Sequence, residues 1–236
     1  MTKASGECSW AEGMYSVASA QAAHAEGIET TASGDGSHAE GELTWATGFL
    51  SHAEGENSRA EGNVSHAEGE GTVARGEYSH AEGIMSIAEG IGSHAEGGYS
   101  YVDTETNDGI IVDGGKAIGD ASHAEGCLTE ASGNASHAEG RDTKATGNYS
   151  HASGLGTIAS GEAEFACGKY NSPGKLFSVG NGFSDNDREN AFEITKDGTI
   201  YFNLDGVRVS LQGILALLLE NNGIDQTALS NVITEE

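Results

Sequence analysis

The most regular feature of the chain is an alanine that recurs at every seventh residue within otherwise polar sequence. These alanines run from Ala4 to Ala95 and again from Ala117 to Ala166, 14 before the gap and 8 after it, so 22 in all. Around each alanine the pattern S-x-A-x-G or T-x-A-x-G alternates small and variable positions. Alternation with a period of two is typical of a strand and glycine is typical of a turn, so each unit predicts a short strand closed by a turn.

Two kinds of unit alternate, so the full repeat covers fourteen positions. One half reads SHAEG and holds all nine histidines of the chain, which follow one another by one full repeat except for a gap of 29 between His94 and His123. A coiled-coil heptad is excluded because a glycine in each heptad would destabilise a helix by about 1 kcal/mol per occurrence. Two strands and two turns therefore form one coil, and eleven coils stacked at about 4.8 Å predict a rod roughly 50 Å long.

The parity of each unit predicts which side chains point outward. Successive side chains of a strand point to opposite faces. One set of alternate positions holds serine or threonine, alanine and glycine, which fit a narrow interior, and the other set holds the histidine and glutamate of the SHAEG half, which point outward. An alanine-filled roll buries too little apolar area to offset chain entropy, so we expect this constant face to meet copies of itself in a homotrimer, with imidazole and carboxylate groups paired. The predicted trimer-interface ladder comprises His24, His38, His52, His66, His80, His94, His123, His137, His151, Glu40, Glu54, Glu68, Glu82, Glu96, Glu125 and Glu139.

Composition alone would indicate a different kind of chain. Leucine, isoleucine, valine and phenylalanine together number only 40 of 236 residues, and the formal net charge is −26, which together are typical of disorder. A register kept from Ala4 to Ala166 favours an ordered solenoid instead. The acidity argues against nucleic acid as a partner. No apolar run approaches the roughly 20 residues that membrane insertion needs, and three widely separated cysteines favour a reducing compartment.

The small-residue 14-mers resemble the head repeats of YadA-like trimeric adhesins. The resemblance covers Ala4 to Gly168 and implies an all-β fold, a left-handed parallel β-roll with three rolls per homotrimer. The family usually has an aliphatic outward pair where this chain has histidine and glutamate. The stretch LFSVGNGFSDNDRENAFEITKDGTIYF is similar to a segment that follows such repeats in phage and prophage tail-fibre or appendage proteins, which implies a trimer-forming cap.

An insertion interrupts the roll within residues 1–168. The segment at about 98–115 contains YSYVD and IIVDG separated by TETNDG, which predicts a hairpin projecting from the rod. Insertions in solenoids map to one surface and often bind ligands, although a hairpin that only braces the roll fits the sequence equally well. The predicted receptor-binding residues are Tyr99, Tyr101, Ile110, Ile111 and, on the variable outward face, Trp45.

Residues 169–236 are predicted to form a separate β-rich module for trimerisation or capping. The large apolar residues rise from 19 in residues 1–168 to 21 in these 68 positions. KLFSVGNG, AFEIT and TIYFNLDG predict strands, with Lys196-Asp197-Gly198 as a hairpin turn. A short helix is predicted from about 210 to 220, ended by Asn221-Asn222-Gly223.

Several chemistries compete with structural alternatives. A repeated His-x-Glu face offers zinc ligands, but its uniformity favours a structural ladder, so we expect no metal site and no cofactor. The SDNDREN segment lacks the spacing of a calcium loop and favours a polar turn. The irregular acidic cluster, which would suit polysaccharide cleavage, lies in the insertion and comprises Asp103, Glu105, Asp108 and Asp113. No nucleophile and base stand out, so we expect no enzyme activity.

The sequence therefore favours a non-enzymatic homotrimeric fibre protein of a phage or prophage tail, made in the host cytoplasm and located in the virion. Its expected partners are its own copies, other virion or tail proteins, and a bacterial surface glycan or protein receptor. One alternative is the head of a bacterial trimeric autotransporter adhesin at the cell surface, for which the N-terminal residues show no apolar signal segment. The second alternative is a polysaccharide-degrading tail fibre.

Overall fold

Short strands alternate between two parallel sheets in the computed structural model, which describes residues 1–102, 109–204 and 206–222. Each strand carries the alternating residues of one repeat unit, and each turn carries its glycine. The strands before the insertion are β1 (Lys3–Ala4), β2 (Trp10–Ala11), β3 (Val17–Ala18), β4 (His24–Ile28), β5 (Thr31–Ala32), β6 (His38–Glu42), β7 (Trp45–Ala46), β8 (His52–Ala53), β9 (Arg59–Ala60), β10 (His66–Ala67), β11 (Val73–Ala74), β12 (His80–Ala81), β13 (Ile87–Ala88) and β14 (His94–Gly97).

Two antiparallel strands, β15 (Tyr99–Val102) and β16 (Gly109–Val112), stand where the sequence predicts a hairpin. Residues 103–108 between them lie outside the described part of the chain. The repeat then resumes in the same two sheets. Its strands after the insertion are β17 (Lys116–Ala117), β18 (His123–Cys127), β19 (Glu130–Ala131), β20 (His137–Arg141), β21 (Lys144–Ala145), β22 (His151–Leu155), β23 (Ile158–Ala159) and β24 (Phe165–Lys169).

Neighbouring strands in both sheets pair in parallel and without a register shift between repeats. His66, for example, lies beside His52 on one side and His80 on the other. Positions one full repeat apart are thus neighbours, except across the insertion, where β14 pairs directly with β18. The arrangement confirms an all-β parallel solenoid of 14-residue coils, about twelve in number. The left-handed winding of the solenoid and its assembly into a homotrimer remain predictions.

Small side chains line the narrow interior between the two sheets. Every repeat alanine from Ala18 to Ala166 is completely buried, and the serine or threonine before it, such as Thr44 or Ser51, is buried as well. The histidine and glutamate of the SHAEG half stay partly exposed outside. The predicted parity is therefore confirmed, and the scarcity of large apolar residues follows from an interior that has no room for them.

The corners of the coil impose two backbone constraints. A Cβ atom on Gly48 would lie 1.9 Å from the carbonyl oxygen of Gly62 in the next coil, so only glycine permits this stacking distance. The corners also hold non-glycine residues in the left-handed region, with φ of 51° at Leu50 and 56° at Val64. That conformation costs an L-residue roughly 1–2 kcal/mol and is rare for a β-branched side chain. The contacts between stacked coils must therefore hold these residues in it.

The second sheet continues beyond the repeats. β25 (Phe177–Asn181) pairs in parallel with β24, and β26 (Asn190–Ile194), β27 (Ile200–Leu204) and β28 (Val207–Ser210) follow antiparallel. The predicted C-terminal helix is present as α1 (Leu211–Asn222), directly after β28, a strand that was not predicted from the sequence. The division of the chain at residue 168 stays a prediction. In the described ranges, no helix is long and apolar enough to cross a membrane.

Two buried polar side chains close the C-terminal end of the roll. Glu164 is 1 % exposed and takes the serine position of the last SHAEG-type unit. Asn171 is completely buried; its amide oxygen accepts from the Ile158 N–H at 2.7 Å and its amide nitrogen donates to the Ile158 carbonyl at 2.9 Å. Because Ile158 belongs to β23, the last strand of the first sheet, the Asn171 side chain replaces the backbone of a missing neighbour.

Candidate functional site

Stacked imidazole rings form a column along the outer face of the second sheet, which we call the ring column. From His24 to His137 the successive ring centroids lie 4.6–4.9 Å apart, and neighbouring planes differ by 5° or less. The cause is the register, since parallel pairing of identical units places each histidine one strand spacing from the next. All nine predicted ladder histidines lie in this column.

Phenylalanine rings continue the column beyond the last histidine. The ring centroids of His151 and Phe165 lie 4.7 Å apart, and those of Phe165 and Phe177 lie 5.4 Å apart. Phe192 and Phe202 on the antiparallel strands extend the series, with spacings of 5.9 and 5.3 Å. This extension was not predicted from the sequence, although Phe165 occupies the histidine position of its unit. All four phenyl rings keep part of their surface exposed.

Glutamate side chains form a second column beside the ring column, the carboxylate column. Most imidazoles place Nε2 close to a carboxylate Oε1 from the preceding coil, so the predicted pairing occurs within the chain. Glu26 belongs to this column but was absent from the predicted set. The pairs are His38–Glu26 at 3.3 Å, His52–Glu40 at 3.1 Å, His66–Glu54 at 3.1 Å, His80–Glu68 at 3.4 Å, His94–Glu82 at 3.1 Å, His123–Glu96 at 3.2 Å and His151–Glu139 at 3.4 Å.

His24, the first histidine of the column, has no carboxylate partner among the described residues, and inside the column the pairing breaks at His137. Its Nε2 atom is buried and has no hydrogen-bond partner among the described residues, and its ring plane is tilted 50° from that of His151. Burial lowers the pKa of His137, and the charges of His123 and His151 act in the same direction. Burial also raises the pKa of Glu125, which shares a hydrogen bond with Glu139 instead of meeting His137. The columns are thus regular in position, but the pKa values of their groups are shifted in different directions.

The opposite sheet presents the variable outward face, and Trp45 lies on it. The Arg59 guanidinium carbon is 4.8 Å from the centroid of the Trp45 ring. These two residues, with Thr47 and Glu61, line an open depression of about 320 Å³. Farther along this face, Arg75 contacts Glu61 at 3.2 Å. Indole and guanidinium groups beside carboxylates can stack on a sugar ring and hydrogen-bond its hydroxyls.

The predicted receptor-binding hairpin is described only in its backbone. Tyr99 pairs with Val112, and Tyr101 pairs with Ile110; Ile111 pairs with Ser100. The side chains of Tyr99, Tyr101, Ile110 and Ile111 lie outside the described residues, as do Asp103, Glu105 and Asp108 of the acidic cluster. Asp113 is exposed.

A polar cluster around Glu193 stabilises the C-terminal strands. The Glu193 side chain is 7 % exposed, accepts from the Asn190 amide at 2.7 Å and lies 3.7 Å from the Lys175 ammonium. Burial alone would raise the pKa of Glu193, but the hydrogen bonds from Asn190 and Arg208 and the nearby positive charges outweigh burial and lower it. The cluster lines a cavity of about 210 Å³ that was not predicted from the sequence.

The SDNDREN segment forms a turn, as the sequence favours. The Asp187 N–H donates to the Ser184 carbonyl at 3.0 Å, and Arg188 pairs with Asp185, so one of the clustered carboxylates is already neutralised. Burial raises the pKa of the Cys167 thiol, which makes it a poor nucleophile. No protein-family model matches the chain, and no curated protein matches it.

Proposed function

We propose that the protein is a non-enzymatic homotrimeric fibre protein that attaches a phage or prophage tail to a bacterial surface, with the copies meeting along the ring column. The observation that carries the proposal is the continuity of this column, which passes from nine histidines to four phenylalanines and remains partly exposed throughout. One face thus links the repeat coils with the C-terminal strands.

The interior supports the need for partner chains. Its apolar contribution comes almost entirely from alanine, which buries little area per residue compared with the entropy lost on ordering the backbone. Partly exposed phenyl rings on one straight column, from Phe165 to Phe202, offer the apolar area that the interior lacks. A surface repeated along one axis suits contact with identical surfaces of other copies, and a closed ring of three is the arrangement in the family that the repeats resemble.

Light scattering on the whole chain tests the assembly. Three copies of the 24.2 kDa chain have a mass of about 73 kDa, and we expect that value for the unaltered protein. Replacing both Phe177 and Phe192 by serine removes two adjacent phenyl rings from the proposed interface and is expected to shift the mass toward a single chain. The measurement is made in the presence of a chelator.

Phe49→Ser is the matched control for this test. Phe49 is 52 % exposed at a corner of the coil, away from the ring column, so its replacement should leave the mass unchanged. A mass near that of one 24.2 kDa chain for the unaltered protein contradicts the trimer. An equal shift for Phe49→Ser and for the Phe177 and Phe192 pair contradicts the assignment of the interface to the ring column.

The variable face supports attachment, because its side chains differ from coil to coil while the backbone does not. In a trimer the depression beside Trp45 would occur three times, and three weak contacts to a surface glycan gain avidity. We expect Trp45→Ala to reduce retention of the protein on intact cells of a bacterial strain panel by at least about tenfold, or about 1.4 kcal/mol.

Tyr149→Ala is the matched control in the pull-down, since Tyr149 is an aromatic residue that is 65 % exposed at a corner of the coil, away from the ring column and from the depression beside Trp45. Retention of that variant should equal that of the unaltered protein. A variant without residues 99–113 is measured in parallel. Loss of retention in the deletion variant but not in Trp45→Ala would assign receptor binding to the hairpin. Failure of every strain to retain the unaltered protein would contradict attachment.

A further inference from the structure

The ring and carboxylate columns together place metal-ligating atoms at regular intervals along the rod. In successive coils, two histidines and the glutamate between them bring one ligand atom each to within 4.8 Å of one another. The uniformity of the face led to the expectation of no metal site, but the same uniformity repeats one ligand group along the rod. We therefore propose, against that expectation, that the columns bind Zn²⁺, with each ion held by Nε2 of two neighbouring histidines and by one carboxylate. The groups include His24–Glu26–His38, His38–Glu40–His52, His52–Glu54–His66, His80–Glu82–His94 and His94–Glu96–His123.

The distance between imidazole and carboxylate already matches that of two zinc ligands. Zinc binds nitrogen and oxygen at about 2.0–2.2 Å in tetrahedral sites, so two of its ligand atoms lie about 3.3–3.5 Å apart. The observed separations between Nε2 and Oε1 are 3.1 Å for His52–Glu40 and for His66–Glu54, and 3.3 Å for His38–Glu26. The paired atoms therefore need little movement to share an ion.

The second histidine of each group must move farther, and the structure leaves it room to do so. Neighbouring rings are stacked 4.8 Å apart, so one ring has to rotate and move its Nε2 by about 1.4 Å to reach the separation of two zinc ligands. The histidine side chains are about one-third exposed, which permits that rotation. Nε2 of His24 has no hydrogen-bond partner in the described part of the chain, so it gives up no internal hydrogen bond on binding an ion.

The ligand set selects the kind of ion. Imidazole nitrogen with carboxylate oxygen suits zinc and related transition metals, whereas Ca²⁺ and Mg²⁺ take oxygen ligands almost exclusively. The formal net charge of −26 further raises the local concentration of cations. The fourth position remains for water.

The number of ions follows from ligand sharing. Adjacent groups have a histidine in common, and each histidine offers a single Nε2, so occupied groups must be separate. The five groups named above can then hold three ions at once, and nine histidines taken two at a time set an upper limit of four ions per chain. This count uses ligands from one chain only.

Two variants with equal numbers of histidines test whether each ion needs two histidines that are neighbours in the ring column. In the alternating variant, His38, His66, His94 and His137 are replaced by phenylalanine, so no two remaining histidines are neighbours in the column. In the block variant, His24, His38, His52 and His66 are replaced, which leaves five consecutive histidines. Phenylalanine is chosen because Phe165 and Phe177 already occupy this column, and asparagine versions of both variants repeat the test if the phenylalanine versions aggregate.

Isothermal titration with ZnCl₂, after removal of metal and with folding checked by circular dichroism, measures the stoichiometry. We expect three or four ions for the unaltered chain, one or two for the block variant and none for the alternating variant. Titration with CaCl₂ should give no heat that depends on the histidines. Serine in place of Cys8, Cys127 and Cys167 should leave the zinc count unchanged.

Three results would overturn the proposal. Less than one zinc ion per unaltered chain would show that the columns do not bind it. Equal stoichiometries for the two histidine variants would show that neighbouring histidines are not the ligands. A loss of zinc in the serine variant would assign the ions to thiolates. Because the mass measurement is made with a chelator present, failure of the trimer and failure of zinc binding give separate readings.

Discussion

Replacement of Gly48 by alanine is expected to prevent the coils around it from stacking. The added Cβ would lie 1.9 Å from the carbonyl oxygen and 2.5 Å from the carbonyl carbon of Gly62. Both are backbone atoms, and Gly62 itself faces Gly76 in the same way, so no side chain can turn aside and no coil can shift alone. Such overpacking belongs to the severe class of substitutions, and we expect a loss of at least about 4 kcal/mol in the free energy of unfolding.

Gly92→Ala is the matched control, because it makes the same chemical change at another corner. Its φ is +62°, but nothing lies within 4 Å of the added Cβ, so only left-handed strain of about 1 kcal/mol is expected. Urea unfolding followed by circular dichroism compares the two variants through their midpoints, which stay meaningful for a repeat array. Equal midpoints would contradict the argument that position 48 requires glycine because the backbone of the next coil lies so close, and not because of a left-handed φ.

The repeat made most of the solenoid predictable from the sequence. Alternation around an alanine such as Ala67 predicts a short strand. Identity from one full repeat to the next predicts in-register pairing, because only translation by a full repeat aligns identical residues. The same argument placed His66 beside His52 and His80, since translation by one coil superimposes identical units. Periodicity therefore determines position along the rod without any knowledge of side-chain contacts.

The exceptions to the repeat could not be predicted in the same way. Phe165 shows that the ring column continues, but its extension to Phe192 and Phe202 depends on an antiparallel fold-back that no period encodes. The left-handed conformation of Val64 also leaves no mark in the sequence, because the residue type argues against it. The break at His137 arises where Glu125 bonds to Glu139 instead of His137, a choice between two nearby partners that identical repeats offer equally.

Regular pairing also explains how so acidic a chain tolerates stacked glutamates. Each carboxylate of the column lies one strand spacing from the next, where like charges repel. An imidazole Nε2 within 3.1–3.4 Å of most of them forms a hydrogen bond to the carboxylate, and a bound cation would relieve the repulsion further. Assembly along the ring column and ion binding are proposed for one surface, and they are measured separately, by mass with a chelator present and by zinc titration.

Glu164→Ala is expected to open the C-terminal end of the solenoid. The Glu164 carboxylate accepts from the N–H groups of Ser160 at 2.9 Å and Gly161 at 2.7 Å. It also accepts from those of Gly174 at 2.9 Å and Lys175 at 3.2 Å, so one side chain satisfies four backbone donors. Alanine would leave them unsatisfied in a partly dry site, and we expect a loss of about 3 kcal/mol.

Glu162→Ala separates this effect from the removal of a negative charge. Glu162 lies two residues away and is exposed, so its replacement should change stability by no more than about 0.5 kcal/mol. Hydrogen exchange locates the loss, because the amides of β23 and β24 should lose protection in Glu164→Ala while those of β4 and β6 keep theirs. Uniform loss along the rod would contradict a local cap and would instead indicate that the solenoid unfolds as a single cooperative unit whose end is no weaker than its middle.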